Sequence, residues 1–247
     1  MNTFVRQVAG LKCRFVNALP DDTLPRMLVV LCHGFGASGD DLVDLAPSLI
    51  GSSQRIAKNC QFVFPEAPVD LGPLGMPGGR AWWPINMARL AQMNQTKNYE
   101  ELTRLRPDGM LAASEQLAAA VSDIQQQLEI TDSMTVLGGF SQGAMVSTDV
   151  ALRHQKSPAV LALFSGTLLD RDDWERLANE HNGCVVMQSH GTDDPVLPFA
   201  VARQLHELLK EQGFTAEFIE FPGGHTIPLA ALQRFSQRLQ QVLADPA

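Results

Sequence analysis

The sequence predicts an α/β fold with a mostly parallel, doubly wound sheet flanked by helices. Short apolar segments of strand length alternate with longer segments of helical periodicity along the 247 residues. The apolar segments show no alternation of polarity, which indicates strands buried on both faces, as in a parallel sheet between two layers of helices. A chain of this length can bury one large core, so we expect a single domain over residues 1–247.

The individual elements are predicted from local composition and periodicity. The predicted strands are Met27–Cys32, Gln61–Phe64, Met134–Gly138, Val160–Ser165, Val185–Ser189 and Ala216–Phe221. The predicted helices are Asp40–Ile50, Gly109–Leu128, Gln142–Arg153, Arg171–Glu180, Phe199–Gln212 and Ile227–Leu243. In the last helix, apolar residues recur at spacings of three and four, which places them on one face. The residues before Met27 could add antiparallel strands at an edge of the sheet.

One long connection interrupts this alternation. Between Val69 and Pro107 the chain contains several prolines and glycines, and the pair Trp82-Trp83 lies within it. A connection of this length in a compact domain is usually functional or disordered, and paired tryptophans argue against disorder. We therefore expect a lid-like excursion between about residues 69 and 107, whose helix-like part, Asn86–Arg106, could cap a site.

Composition and charge exclude several classes of protein. The formal net charge of −8 disfavours a nucleic-acid partner, because phosphate binding needs an excess of Lys and Arg. The same charge argues against a stable electrostatic hold on anionic membranes. No segment approaches the roughly 18 uncharged apolar residues of a membrane span, so no stable membrane insertion is expected. The first residues lack a basic stretch followed by an apolar segment, so we expect no secretory signal and a cytoplasmic protein.

The cysteines indicate neither disulfides nor a metal site. Cys13, Cys32, Cys60 and Cys184 are widely separated, and they form no C-x-x-C pair. The last three lie in or beside apolar strand-like segments, where a thiol behaves as a small hydrophobic side chain. We therefore expect reduced cysteines in the core and no bound metal.

The pattern G-x-S-x-G is the most informative motif of the chain. Gly139-Phe140-Ser141-Gln142-Gly143 lies between a predicted strand and a predicted helix, which is the context of a nucleophile elbow. The serine then occupies a tight turn at the end of the sheet, and the flanking positions must be small because strand and helix nearly touch. The alternative is a glycine-rich turn that carries an ordinary exposed serine, so the interpretation depends on partner residues.

A serine nucleophile needs a base, and in the α/β-hydrolase fold the chain order is serine, acid, histidine. His225 follows Pro222-Gly223-Gly224, just after the last predicted strand and before the last helix. This loop lies at the carboxyl edge of the sheet, the same edge as the elbow, and we predict His225 as the base. Three other downstream histidines lie in predicted helices or at their ends and are better explained as helix residues: His154, His181 and His206. His190 lies at the end of a predicted strand.

Two adjacent aspartates after the penultimate strand are candidates for the acid. Asp193 could instead be a turn-forming or helix-capping residue. Asp194 precedes Pro195, which pushes it towards an extended conformation, and we predict Asp194 as the residue that orients His225.

Acyl transfer also needs hydrogen-bond donors for the oxyanion. In this fold the donors are the amide after the nucleophile and one amide from the loop after an early strand. The first is Gln142. We predict Phe35 as the second, because a glycine on each side lets the backbone turn inward. His33, in the same loop, is interpreted as a packing residue.

With these residues in place, the chain resembles the phospholipase/carboxylesterase family of α/β-hydrolases, which includes the acyl-protein thioesterases. The matching segments cover the chain from about Leu28 to the last helix, and they are His33–Leu42, Phe64–Pro68, Gly138–Ala144, His190–Pro198 and Gly224-His225. The resemblance implies the α/β-hydrolase fold, with Ser141 as nucleophile, Asp194 as acid and His225 as base. It also implies the amides of Phe35 and Gln142 as oxyanion donors.

The resemblance extends to the aromatic segment. Trp82-Trp83-Pro84-Ile85 aligns with the family's aromatic segment beside the acyl pocket, which implies that Trp82 and Trp83 contact substrate; a core aromatic pair is the alternative. The chain departs from the short members of the family at Asn86–Arg106, which is longer than expected. A lid there would reshape the pocket and change the substrate.

The sequence therefore predicts a serine carboxylesterase that hydrolyses carboxylic esters or thioesters through an acyl-serine intermediate, as a lysophospholipase or acyl-thioesterase does. Its expected partner is a small acyl ester or thioester, and it needs neither metal nor organic cofactor. The alternatives are a peptidase or dienelactone-type hydrolase on the same fold, or a non-catalytic binding module. The last is disfavoured because such relatives usually lack a triad member, whereas all three are present. Apolar residues near the Trp82 loop could serve a homodimer.

Overall fold

The computed structural model describes residues 1–20, 23–181 and 183–244. The strands of these residues are β1 (Asn2–Val8), β2 (Leu11–Asn17), β3 (Met27–Cys32), β4 (Cys60–Pro65), β5 (Val69–Asp70), β6 (Arg80–Ala81), β7 (Thr135–Phe140), β8 (Val160–Phe164), β9 (Val185–Gly191) and β10 (Thr215–Phe221). The α-helices are α1 (Leu45–Ser52), α2 (Gln54–Asn59), α3 (Met87–Thr96), α4 (Tyr99–Arg104), α5 (Met110–Leu128), α6 (Gln142–Arg153), α7 (Arg171–Glu180), α8 (Phe199–Glu211) and α9 (Leu229–Ala244).

The main sheet has eight strands in the order β1-β2-β4-β3-β7-β8-β9-β10. Strands β3, β4, β7, β8, β9 and β10 pair in parallel. The residues before Met27 form β1 and β2, which pair antiparallel with each other, and β2 pairs antiparallel with β4. The predicted mostly parallel α/β sheet is confirmed. The predicted domain extent, 1–247, includes residues 21, 22, 182 and 245–247, which lie outside the described residues, and it stays a prediction.

The central strands are apolar because both of their faces are covered. Every residue of β3 is buried, and its side chains alternate between two hydrophobic clusters on opposite sides of the sheet. Leu28 and Val30 belong to one cluster, whereas Val29 and Leu31 belong to the other. Each such side chain stabilises the fold by about 1.5–3 kcal/mol relative to an exposed one. The absence of polarity alternation in the sequence thus has a direct structural cause.

Two helices differ from the prediction. Helix α1 begins at Leu45 rather than Asp40, because the preceding residues form turns closed by bonds such as Val43 N–H to Asp40 O, at 3.1 Å. Helix α2, which has six residues, was not predicted. Ser53 caps α2 by accepting a hydrogen bond from the amide of Arg55, but Ile56 is its one buried residue. A helix this short leaves no apolar periodicity to recognise.

The excursion between residues 69 and 107 is folded onto the domain. It begins with the antiparallel pair β5 and β6 and continues with α3 and α4. Leu90 and Met93 of α3 and Leu102 of α4 are buried in the larger hydrophobic cluster. The helix-like character predicted for Asn86–Arg106 is therefore observed, whereas movement of this segment as a lid stays a prediction.

The cysteines are free thiols in the structure. Burial raises the pKa of the Cys13, Cys60 and Cys184 thiols to about 12. Within the described ranges, no three His, Cys, Asp or Glu side chains are grouped so that they could hold a metal ion. No helix among the described residues has the length and apolar character to cross a membrane.

Candidate active site

Ser141 occupies a strained turn between β7 and α6. Its backbone has φ 54° and ψ −118°, a conformation that costs a residue with a side chain on the order of 1–3 kcal/mol. The Ser141 amide donates to the carbonyl of Phe164 at 2.8 Å, which fixes the turn against β8. A Cβ atom at Gly139 or Gly143 would overlap the carbonyl oxygen of Cys32. The two glycines of the motif are therefore required by the close approach of α6 and β7 to β3.

Three predicted residues meet at the carboxyl edge of the parallel strands. His225, in the loop between β10 and α9, has its Nε2 atom 2.9 Å from Ser141 Oγ. Its Nδ1 atom lies 2.6 Å from Oδ2 of Asp194, which follows β9. Since a carboxylate only accepts hydrogen bonds, Nδ1 carries the hydrogen and Nε2 is free to accept the Ser141 hydroxyl proton. This arrangement can remove a proton from the serine.

The carboxyl group of Asp194 is fully buried and hydrogen-bonded at both oxygens. Oδ1 accepts the amides of Val196 and Leu197 at 2.8 and 2.9 Å. Burial alone would raise the pKa of Asp194, but hydrogen bonds from His190 and His225 and from the Leu197 amide hold this pKa well below its usual range. The group therefore stays ionised.

The rejected candidates lie elsewhere or have other partners. Asp193 is exposed, and its carboxylate accepts the hydroxyl of Thr192 at 3.2 Å. His154 follows the end of α6, and His206 stacks on Phe218. His181 bonds with the carbonyl of Lys156 at 2.9 Å. The exception is His190, which is buried beside Asp194.

His33 stiffens the loop after β3. Its Nδ1 atom lies 2.8 Å from the carbonyl of Gly34, and its Nε2 atom accepts the amide of Ala67 at 3.0 Å. Burial lowers the pKa of this histidine, so the ring is neutral with its hydrogen on Nδ1. These contacts correspond to the packing interpretation of His33.

The two predicted oxyanion donors lie in the loop after β3 and at the start of α6. Gln142 is the first residue of α6, where the helix offers no carbonyl partner to its amide. In the loop after β3, the amides of Gly36 and Ala37 donate to the carbonyls of Arg80 and Gly34. Among the described residues, none accepts a hydrogen bond from the Phe35 amide. Gln142 directly follows Ser141 in the chain, and Phe35 and Ser141 line the same cavity.

A cavity of about 370 Å³ opens beside Ser141 and His225. Its walls are mostly apolar, and they are formed by Gly34, Phe35, Ala37, Asp41, Ile85, Met87, Leu90, Phe140, Met145, Val196 and Leu197. Most of these wall residues were not predicted, because an apolar residue on a cavity wall looks like an apolar residue of the core in the sequence. Ile85, Met87 and Leu90 come from the 69–107 excursion, which therefore shapes the cavity.

The predicted substrate contacts Trp82 and Trp83 lie in the core instead. Each is 1% exposed, and neither lines the cavity beside Ser141. The indole N–H of Trp82 donates to the carbonyl of His33 at 3.0 Å. The side chain of Gln142 accepts the backbone amide of Trp82 and donates to the carbonyl of Trp83. The pair thus contacts the segments that carry the two predicted oxyanion donors, which corresponds to the alternative of a core aromatic pair.

Comparisons with known proteins agree with this fold. A family model described as Phospholipase/Carboxylesterase matches residues 19–243. Acyl-protein thioesterase 1 of Debaryomyces hansenii is 31% identical over 204 residues, which cover 79% of this chain and 82% of that protein. Acyl-protein thioesterase 1 of Candida albicans is 30% identical over 196 residues, which cover 75% of this chain and 78% of that protein.

Solved structures show the same architecture. The crystal structure of esterase PE8 superposes with a TM-score of 0.75 at 28% identity, and the match covers 92% of this chain and 97% of that one. A carboxylesterase from Mesorhizobium loti has a TM-score of 0.70 at 18% identity, over 97% of this chain and 99% of that one, and it shows the fold alone. The chain therefore belongs to the phospholipase/carboxylesterase family of α/β-hydrolases.

Proposed function

We propose that the protein is a serine hydrolase that cleaves carboxylic esters or thioesters through an acyl-serine intermediate. The observation that carries the proposal is the 2.9 Å contact between His225 Nε2 and Ser141 Oγ, with Asp194 behind the histidine ring. Nucleophile, base and orienting acid thus meet at one edge of the sheet, which is the arrangement of a Ser-His-Asp triad. Membership of the family and the names of its relatives support the same activity.

The mechanism follows from the positions of these groups. The Oγ atom of Ser141 attacks the acyl carbon while its proton passes to His225, and ionised Asp194 stabilises the resulting imidazolium. The amides of Phe35 and Gln142 donate to the oxygen that becomes negative, and each such donor contributes about 3–4 kcal/mol to the transition state. The leaving alcohol or thiol takes the proton from His225. Water then attacks the acyl-serine with His225 again as the base, which releases the acid.

The cavity supports an acyl group as the part of the substrate that binds next to Ser141. Its walls are mostly apolar, and burying each methylene of an acyl chain there contributes about 0.8 kcal/mol. The curated relatives are named acyl-protein thioesterases, and the solved structure that is 28% identical to this chain is named esterase PE8. We therefore propose an acyl ester or thioester substrate, in preference to a peptide or a dienelactone.

A fluorophosphonate probe tests the proposed nucleophile. The probe should label the folded protein at one position, Ser141, and the labelled peptide can be located by mass spectrometry. Ser133, on an exposed turn, serves as an internal control and should stay unlabelled. Folded protein that takes up no probe, or takes it up elsewhere, would contradict the proposal.

A substrate panel tests the bond type. Short p-nitrophenyl esters and an acyl thioester should be hydrolysed, whereas peptides and dienelactones should not. Cleavage of peptides or lactones in preference to esters would favour the alternative hydrolases. Ester turnover that is unchanged in Ser141→Ala would instead favour a binding module with an unrelated, contaminating activity.

Two further expectations stay predictions. Leu74, Met76 and Met87 are exposed apolar residues of the 69–107 excursion, and they support a homodimer formed through this segment. Sedimentation of the full chain at several concentrations would test it. A cytoplasmic location also stays a prediction.

A further inference from the structure

His190 is a fully buried histidine that the mechanism above does not use. It lies near the end of β9, is 0% exposed, and packs against Phe199 with a ring-centroid distance of 6.3 Å. Its Nε2 atom lies 3.2 Å from Oδ2 of Asp194 and 2.9 Å from the carbonyl oxygen of Leu197. Its Nδ1 atom has no hydrogen-bond partner among the described residues. A buried ring nitrogen without a partner is costly, and a compensating role is expected.

The neighbours of the ring determine which nitrogen carries the hydrogen. Both atoms near Nε2 are oxygens that only accept, one from a carbonyl group and one from an ionised carboxylate. Nε2 therefore carries a hydrogen. His190 then donates to the Leu197 carbonyl, and the same N–H lies against Asp194 Oδ2.

The contacts of His190 and Leu197 hold both oxygens of the Asp194 carboxylate. Leu197 donates its amide to Oδ1 at 2.9 Å, while its carbonyl accepts from His190. Oδ2 lies between the rings of His190 and His225, at 3.2 and 2.6 Å. The carboxylate can therefore turn only by breaking contacts on both sides. Since Leu197 also lines the cavity, the same contacts connect the acid to the cavity wall.

We propose that His190 is a positioning residue for the acid: its Nε2–H, which donates to the Leu197 carbonyl and lies against Asp194 Oδ2, fixes the carboxylate in the orientation that His225 requires. This role rests on the ester hydrolysis proposed above. It acts through Asp194 and His225, since His190 does not line the cavity or contact Ser141. Without this donor the carboxylate is held only by the two amides at Oδ1 and by His225 itself at Oδ2, and His225 is less well oriented towards the serine.

Two substitutions at His190 distinguish the effect of losing the Nε2–H donor from the effect of losing the volume of the ring. His190→Met fills similar space without a donor, whereas His190→Gln places an amide N–H near the position of Nε2. We expect kcat per active site to fall by about 10- to 100-fold in His190→Met, because small errors of orientation are costly in catalysis. KM should change by less than about twofold, because ground-state binding is retained. His190→Gln should recover most of the lost kcat.

His206→Met is the matched control. His206 lies in α8, and like His190 it has a buried Nδ1 with no partner in the described part of the chain, but its ring stacks on Phe218 and bonds to none of the described residues of the site. Its kcat should equal that of the unsubstituted protein. Active sites are counted by titration with the fluorophosphonate probe, so that loss of folded protein does not count as loss of kcat. A His190→Met variant with full kcat per titrated site, or a His190→Gln variant as impaired as His190→Met, would overturn the proposal.

A spectroscopic measurement on the unsubstituted protein covers the case in which His190→Met does not fold. Long-range ¹H–¹⁵N correlation spectra of histidine-labelled protein should show His190 as the Nε2–H tautomer, with the signal assigned by its loss in His190→Gln. An Nε2 atom that carries no hydrogen would overturn the proposal. Failure of the ester hydrolysis itself is distinguishable, because the unsubstituted protein would then be inactive and Ser141→Ala would change nothing.

Discussion

The side chain of Gln142 holds the backbone of Trp82, since its Oε1 atom accepts the Trp82 amide at 2.9 Å. The same side chain donates from Nε2 to the carbonyl of Trp83 at 2.8 Å. Gln142 thus has two separate roles, because its own amide is the proposed oxyanion donor beside Ser141. The sequence predicted the role of the amide, whereas the role of the side chain is visible only in the structure.

Replacing Gln142 by Leu should destabilise the fold while it leaves the amide donor in place. Two buried backbone groups of Trp82 and Trp83 would lose their partners, at a combined cost of about 2–4 kcal/mol. Urea unfolding followed by circular dichroism measures the change. Gln92→Leu, on an exposed position of α3, is the control and should change the unfolding free energy by less than about 0.5 kcal/mol. Equal stability of the two variants would contradict this account of the Trp82-Trp83 segment.

Ser141 variants separate catalysis from backbone strain. Ser141→Ala and Ser141→Gly should both lose ester turnover by about 10⁴-fold or more, because both lack the nucleophile. Their stabilities should differ, since alanine keeps a Cβ atom at φ 54° and glycine does not. We expect Ser141→Gly to be more stable than Ser141→Ala by about 1 kcal/mol in thermal or urea unfolding. If alanine is the more stable of the two, the turn is not strained.

The buried carboxylate of Asp194 predicts a defined loss of stability in acid. Its pKa is lower in the folded protein than the value of about 3.9 for an unfolded aspartate, so its contribution is present above about pH 4. The contribution is lost as the pH falls through the folded pKa. Asp194→Asn lacks this titration, and the difference in unfolding free energy between the two proteins should shrink between about pH 4 and pH 2.5. A difference that is constant over this range would exclude the low pKa.

The kcat of Asp194→Asn is a second test of the role of Asp194. Asn in its place favours the wrong tautomer of His225, and kcat should fall by about 10³- to 10⁴-fold. Asp193→Asn is the neighbouring control, since Asp193 is exposed and bonds to Thr192 rather than to the histidine. Its kcat should stay within about twofold of the unsubstituted value. Similar losses in both variants would contradict the assignment of Asp194 as the acid.

Alanine substitutions at Gly143 and Gly51 should have opposite effects on the stability of the fold. An alanine at Gly143 would overlap the carbonyl of Cys32, which is backbone and cannot move aside, so Gly143→Ala should abolish folding or activity. Gly51, in α1, has nothing within 4 Å of the position of a Cβ atom. Gly51→Ala should stabilise the fold by about 0.5–1 kcal/mol, because alanine is the better helix former. Expression level and thermal unfolding of the two variants measure both effects.

The sequence predicted those parts of the fold and of the candidate site that leave a local motif or a fixed chain order in the sequence. The G-x-S-x-G turn, the late histidine and the aspartate before Pro195 each follow a strand, and their chain order limits the choice of partners. Burial on the walls of a cavity leaves no such pattern, so Ile85, Leu90 and Met145 were not distinguished from core residues. For the same reason Trp82 and Trp83 were assigned to substrate, although their apolar bulk fits the core equally well.

Leu90 of α3 connects the 69–107 excursion to substrate selection. It is buried and lines the cavity, so Leu90→Ala should deepen the space beside Ser141. Longer acyl chains should gain relative to short ones, by about fourfold in the ratio of kcat/KM for each methylene newly accommodated. Met87→Ala is the control, because Met87 lines the same cavity but is 45% exposed and encloses less of it. A series of p-nitrophenyl esters of increasing length measures the ratio, and an unchanged profile in Leu90→Ala would mean that the acyl chain binds elsewhere.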